Sequence, residues 1–257
     1  MKKKDSSMKN FLTLLFVLAL GVIGYYGYEY FVDGEEPPGD HPGSNTTPKT
    51  EYVTVKGVKF KMVRVDGGTY TKSGSGSTTN QVSVSSFSIG ATEVTQELWI
   101  AVMGSNPSYF SNEKNFKDDL DNMQRPVESF SWSDCRTFIN KLNKLTGKKF
   151  RLPKEAEWEF AARGGNKSRN YIYSGASGAS EASWFYSNSG SKTHPVATKC
   201  INELGLFDMS GNVEEICEDS HSGHGGSYWS QNQSDCYPDS RSGHGCSDNR
   251  VGFRLAL

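Results

Sequence analysis

The chain predicts an irregular α+β domain with few helices, short scattered strands and long loops. Three observations carry this prediction. Glycine occurs 27 times and hydrophobic residues fill only 35% of the 257 positions, which argues for loops over a helical bundle. Alternation of apolar and polar residues is confined to short runs bounded by turn residues. A clean helical stripe runs through residues 131–147. About 200 residues remain once the first 50 are set aside, the size of one ordinary domain. The net charge of −1 provides no basic field for a phosphate backbone, so nucleic acid is excluded as a partner.

The N-terminus reads as three pieces. Residues 1–10, "MKKKDSSMKN", are basic, and residues 11–32, "FLTLLFVLALGVIGYYGYEYFV", carry Glu29 as their only charge. As a helix this apolar stretch would span about 33 Å, enough for a hydrocarbon core. Lysines before it and acids after it favour an internal N-terminus and an external remainder. The reading is a transmembrane anchor, with a cleaved signal sequence as the alternative. Either way the domain faces the periplasm or the cell exterior, where disulfides can form. Residues 33–50, rich in Pro, Gly and acids, form a flexible linker to a domain over 51–257.

Within the domain, "GVKFKMVRVDGGTYTKS" alternates through Phe60, Met62, Val63 and Val65 and predicts a hairpin turning at Gly67-Gly68. "QVSVSSFSIGATEVT" predicts a strand with Val82, Val84, Phe87 and Ile89. A short helix, "TQELWIAVMG", is closed by Gly104. In "SWSDCRTFINKLNKLTG", Trp132, Cys135, Phe138, Ile139, Leu142 and Leu145 form one stripe. Ser131 and Asp134 suit a capping box there, and Gly147 a C-terminal cap. A third helix opens after Pro153, with Trp158 and Phe160 packing inward. Its Glu155, Glu157 and Glu159 are read as scaffold acids that offset the helix dipole or pair with Arg151 and Arg163. "RVGFRLAL" reads as a final core strand. The five cysteines suggest a Cys236–Cys246 or Cys200–Cys217 disulfide. A zinc set drawn from Cys217, His221, His224, Cys236, His244 and Cys246 lacks the spacing of structural sites.

Several stretches, in order, carry a resemblance: "IGATEVTQELWIAVMGSNPSYF", "RPVESFSWSDC", "GKKFRLPKEAEWEFAARGG", "NELGLFDMSGNV", "GGSY" and "VGFRLAL". Over roughly residues 58–257 the chain resembles the formylglycine-generating enzyme, or sulfatase-modifying factor, family. The resemblance implies a variant of the C-type lectin fold. It also implies oxidation of a sulfatase cysteine to formylglycine, with O2 and a copper ion held by two cysteines. Framed on Gly225-Gly226-Ser227-Tyr228, those cysteine positions are Ser230 and Asp235, with Cys236 one residue away. Copper(I) favours soft thiolates over a hydroxyl, so copper and the family oxidation are not expected. The alternative is an oxidoreductase whose copper site is rearranged onto Cys236 and another thiol such as Cys246. The segment "LFDMSGNVEEICED" resembles the family's calcium loop, implying carboxylate ligands Asp208 and Glu215 and carbonyl ligands Gly211 and Val213. Glu214 and Ile216 stand where the family has aromatic residues.

Residues 220–250 have an unusual composition. Of these 31 residues, 27 are Ser, Asp, Gly, His, Asn, Cys, Tyr or Arg, and none is Leu, Ile, Val, Ala, Met, Phe, Thr, Lys or Glu. All eight types are among those reached when the adenines of an asparagine codon are replaced. The segment thus resembles the diversified C-terminus of a variable protein encoded with a diversity-generating retroelement. Tyr228, Trp229 and Tyr237 would anchor a ligand; Ser230, Asn232, Asp235, Asp239, Arg241 and His244 would supply polar contacts. The expected function is a membrane-tethered extracytoplasmic protein that binds a protein or glycan.

Overall fold

A hairpin begins the fold. Strands β1 (Thr50–Val55) and β2 (Val58–Val65) pair antiparallel across Lys56-Gly57, whose φ values of 46° and 87° suit a tight two-residue turn. Strand β5 (Phe87–Gly90) lies on the other edge of β2, with Val63 opposite Ile89. Strands β3 (Gly68–Ser73) and β4 (Thr79–Val84) form a separate pair. The computed structural model describes residues 50–73, 79–111, 123–220 and 222–257. The basic segment, the apolar stretch 11–32 and the linker up to residue 49 lie outside the described residues. No helix among the described residues is long and apolar enough to cross a membrane.

Two expectations change here. Gly67-Gly68 turns no hairpin; it carries the chain from one sheet to the next, because β2 pairs with β1 and β5 while β3 pairs with β4. Close packing requires glycine there: a Cβ on Gly68 would meet Asn166 Oδ1 at 2.1 Å and the Phe160 ring at 2.9 Å. The alternating run 81–89 is likewise two strands in two sheets, parted at Ser85-Ser86. Alternation marks extended backbone and leaves the choice of partner to the rest of the chain.

Helix α1 (Gln96–Met103) starts at Thr95, whose hydroxyl accepts from Leu98 N, and ends at Gly104 with φ 86°. Helix α2 (Trp132–Thr146) has the expected capping box between Ser131 and Asp134 and a left-handed Gly147. Its buried stripe is narrower than the pattern implied. Cys135, Phe138 and Leu142 are buried, while Trp132 and Leu145 at the ends are 37% and 48% exposed. Only the middle turns of α2 meet the core. There the Trp99 ring stacks on Phe138 at 5.0 Å, and Phe253 abuts Phe130 and Phe138 edge-on at 5.2 and 5.5 Å. Helix α3 spans Glu155–Ala162 and α4 is one turn, Ala179–Ala182.

The C-terminal third builds a four-stranded sheet in the order β8-β7-β6-β9. Its members are β6 (Glu214–Ile216), β7 (Gly223–His224), β8 (Arg241–Ser242) and β9 (Val251–Gly252). Beyond β9 the chain returns to the first sheet, where Gly90 N donates to Leu255 O and Leu257 N to Ser88 O. The expected disulfides do not form: all five cysteines are free thiols. Cys236 packs with Tyr173, Ala176 and Phe185, whereas Cys246 packs against the main core. Cys217 is buried and Cys200 exposed.

Truncating Phe253, which closes the aromatic centre of this core, should cost about 3–5 kcal/mol. Urea unfolding of Phe253→Ala checks this; a loss below 1 kcal/mol would contradict the packing.

Candidate functional site

The C-terminal sheet is held from beneath by a buried charge. Arg254 is fully buried, and its guanidinium donates to both oxygens of Glu215 at 2.6 Å. It also donates to Gly90 O at 3.1 Å and Phe207 O at 2.9 Å, and Trp158 Nε1 donates to Glu215 at 2.9 Å. Of the expected calcium set of Asp208, Gly211, Val213 and Glu215, Glu215 thus forms an ion pair with Arg254. Asp208 Oδ2 accepts from Ala197 N at 2.6 Å, and Gly211 N donates to Gly225 O at 2.8 Å. Val213 is buried. Asp208 Oδ1 and Glu93 Oε1 are buried without a hydrogen-bond partner among the described residues. Burial, together with the charge of Asp208, pushes the Glu93 carboxyl well above its usual range.

On its other face the same sheet opens into a cavity of about 430 Å³. Period-two geometry sends the adjacent acids of β6 to opposite faces. Glu215 goes to Arg254, and Glu214 lines the cavity. The Glu214 side chain is only 4% exposed; it accepts from the Ser242 hydroxyl and, at 2.9 Å to each oxygen, from His244 Nδ1. Gly223 makes this possible, since a Cβ there would meet Glu214 Oε2 at 2.7 Å and Ser242 Oγ at 2.9 Å. Trp229, 41% exposed, contributes an aromatic wall and meets Tyr186 edge-on at 5.3 Å.

Two arginines line the cavity, and each is held by an acid. Arg250 forms a two-armed pair with Asp248 at 2.8 and 2.5 Å. Arg241 pairs with Glu155 of α3, which also binds Lys72. Burial pushes the Glu155 carboxyl up, but hydrogen bonds from Arg241 and Lys72 and their charges outweigh it and hold it at about 2. The other acids of α3 are scaffold: Glu157 pairs with Arg151 at 2.6 Å and Glu159 with Arg163 at 2.9 Å.

The structure brings Trp229, Ser230, Asp235, Arg241 and His244 to the cavity. The other residues expected to touch a ligand lie elsewhere. Tyr228 is buried, its ring against Phe110 and its hydroxyl donating to Asn249 at 2.9 Å. Tyr237 packs edge-on against Tyr173 at 5.3 Å, and Asp239 pairs with Arg163 at 3.1 Å. Asn232 begins a short 3-10 turn, where its N–H donates to Asp235 at 3.1 Å. An isolated aromatic in a polar segment satisfies the scaffold as readily as a ligand, and composition does not separate the two. Sequence reasoning missed Glu214, Tyr186 and Arg250. For Glu214 a signal existed: an acid stands where the resemblance expects an aromatic ring.

The two copper positions do not fit a copper ion. Ser230 Oγ accepts from Ser227 N at 3.0 Å, and the Cys236 thiol is buried. Burial pushes that thiol up to about 12. One buried, protonated thiol beside a hydroxyl lacks the soft thiolate pair that copper(I) favours, and Cys246 belongs to a different packing cluster. His224 lies against Trp158 at 5.6 Å, and His221 lies outside the described residues.

This loop-rich α+β scaffold, with an occupied core and a polar C-terminal cavity, defines a domain class. The chain belongs to the sulfatase-modifying factor family: residues 42–257 match the sulfatase-modifying factor enzyme 1-like domain. It is 34% identical over 215 residues to the chaperone protein LppX of Paenibacillus barcinonensis, covering 64% of this chain and 73% of that one. It is 31% identical over 135 residues to the formylglycine-generating enzyme of Streptomyces coelicolor, covering 47% of this chain and 40% of that one. Treponema denticola variable protein 1 has a similar structure, with a TM-score of 0.72 and 30% identity over 82% of this chain and 99% of that one.

Two outcomes follow from these charges. Arg254→Met strands Glu215 and should cost about 3–5 kcal/mol, with the double change Arg254→Met/Glu215→Gln recovering part of the loss in urea unfolding. Glu155, held below its ordinary value of 4.5, adds stability that is present above about pH 4.5 and lost as pH falls towards 2. Glu155→Gln should therefore cost ~1 kcal/mol at pH 7, after allowance for solvent screening, and nothing near pH 2. Chemical unfolding across that range reads the difference; a gap independent of pH would contradict the ion pair.

Proposed function

We propose that this chain is a ligand-binding protein that uses a sulfatase-modifying factor domain as a rigid platform. Residues 11–32 tether it to a membrane, the domain faces the periplasm or cell exterior, and the ligand is a protein or a glycan. One observation carries the reading. Apart from Glu214, every residue lining the cavity falls between Gly226 and Arg250, inside the segment of restricted polar composition. A set of side chains that can vary without touching the core suits recognition. The similarity to a variable protein supports the same reading.

The second reading, a copper oxidase acting on sulfatase cysteines, draws on the family and on Cys236 beside Ser230. The protonated lone thiol counts against it.

Both readings are tested on the full chain in mild detergent. Incubated with copper, O2 and a Cys-x-Pro-x-Arg peptide, it should produce no aldehyde by mass spectrometry. Turnover that disappears in Cys236→Ser would establish the oxidase instead. On peptide and glycan arrays, ligand capture should fall at least about tenfold in Trp229→Ala with the melting temperature unchanged, as expected for an exposed aromatic anchor. Capture indifferent to Trp229 would place recognition outside the cavity.

A further inference from the structure

The charge balance of the cavity narrows what it accepts. Glu214 is a carboxylate with almost no exposure, and its hydrogen-bond donors are a hydroxyl and an imidazole, those of Ser242 and His244. Among the described residues no lysine or arginine forms an ion pair with it. The two guanidinium groups in the lining are already paired with carboxylates outside the lining, Arg241 with Glu155 and Arg250 with Asp248. A second acid in the wall, Asp235, accepts from Asn232 alone among the described residues. The lining therefore offers a surplus of negative charge at its most buried point. A buried carboxylate gains most from a partner that brings both positive charge and donors, and gains little from a neutral hydroxyl.

Two further features suit such a partner. Trp229 exposes a large part of its indole in the same cavity, and indole is the strongest of the aromatic faces for a cation. A volume of about 430 Å³ accommodates one long side chain better than an extended oligosaccharide.

We propose that the cavity takes a lysine or arginine side chain of a protein partner, its ammonium or guanidinium group bound by Glu214 with Trp229 alongside. This deepens the binding reading above and rests on it. Ser242 and His244 then act as positioning residues: they hold the carboxylate in one orientation before the cation arrives.

The test is calorimetric titration of the full chain in detergent with four probes: Nα-acetyl-lysine amide, Nα-acetyl-arginine amide, Nα-acetyl-norleucine amide and methyl glucoside. One of the two cationic probes should bind at least about tenfold more tightly than norleucine amide, and rising salt should weaken it. Glu214→Gln should remove that preference, while Ser242→Ala, which removes a positioning hydroxyl and leaves the charge, should weaken binding of the cationic probe severalfold and keep its salt dependence. Neither cationic probe binding more tightly than norleucine amide in the wild-type chain would overturn the proposal without recourse to any variant, as would no binding of either cationic probe. Glucoside binding lost in Trp229→Ala but kept in Glu214→Gln would overturn the cation and leave the ligand-binding reading standing. The array experiment above decides that reading separately.

Discussion

Arg254 is the charge on which the remaining architecture depends. A guanidinium without solvent is tolerable only if its charge and its donors are all met. Glu215, Gly90 and Phe207 accept four hydrogen bonds from it, and Trp158 donates to the same carboxylate. This one group thereby joins the C-terminal strand to β6, to the edge of the first sheet, to the loop before β6 and, through Glu215, to α3. The aromatic cluster around Trp99 and Phe253 supplies the larger hydrophobic driving force, but it is non-directional. The ion pair sets direction: β6 can satisfy Arg254 with Glu215 only if Glu214 faces the opposite way.

That alternation links stability to function. The residue that secures the core and the residue that shapes the cavity are neighbours on one short strand, and neither can slip in register without exposing the other's error. Around the cavity the polar segment is far from loose. Its backbone pairs with β6 through β7 and β8, and Asp239 and Arg241 tie it to Arg163 and Glu155 of α3. Cys236 and Tyr228 plug it into the scaffold from below. What remains exposed, Trp229 above all, sits on a fixed base.

At the two positions where the resemblance places copper-holding cysteines this chain has Ser230 and Asp235, with the buried Cys236 one residue on. Side chains at the rim of this sheet can differ within one fold because the core that specifies the fold lies elsewhere. A domain whose core is closed by Phe253, Trp99 and Phe138 can change Ser230, Arg241 or His244 at small cost to stability.

Much of this was written locally. The helices at Gln96, Trp132 and Glu155 follow from caps and short apolar stripes, and Glu157 and Glu159 of α3 pair with the arginines that their spacing suggested, while Glu155 pairs with Arg241 and Lys72. The family and its loop-rich fold follow from six ordered stretches, and the polar segment's composition singled out the region that lines the cavity. These are properties of neighbours in sequence, and the sequence by itself determined them. Strand partners were different: Gly67-Gly68 reads as a hairpin turn but joins two sheets, because pairing depends on strands far away in the chain. Likewise Tyr228 and Trp229 are adjacent and chemically alike, yet one is buried on Phe110 and the other faces solvent. Only the tertiary structure decided which of the two is scaffold, and which of Glu214 and Glu215 meets the arginine. The reason is physical: a side chain's role is set by the dielectric and the partners around it, and those are assembled from residues up to 164 positions apart.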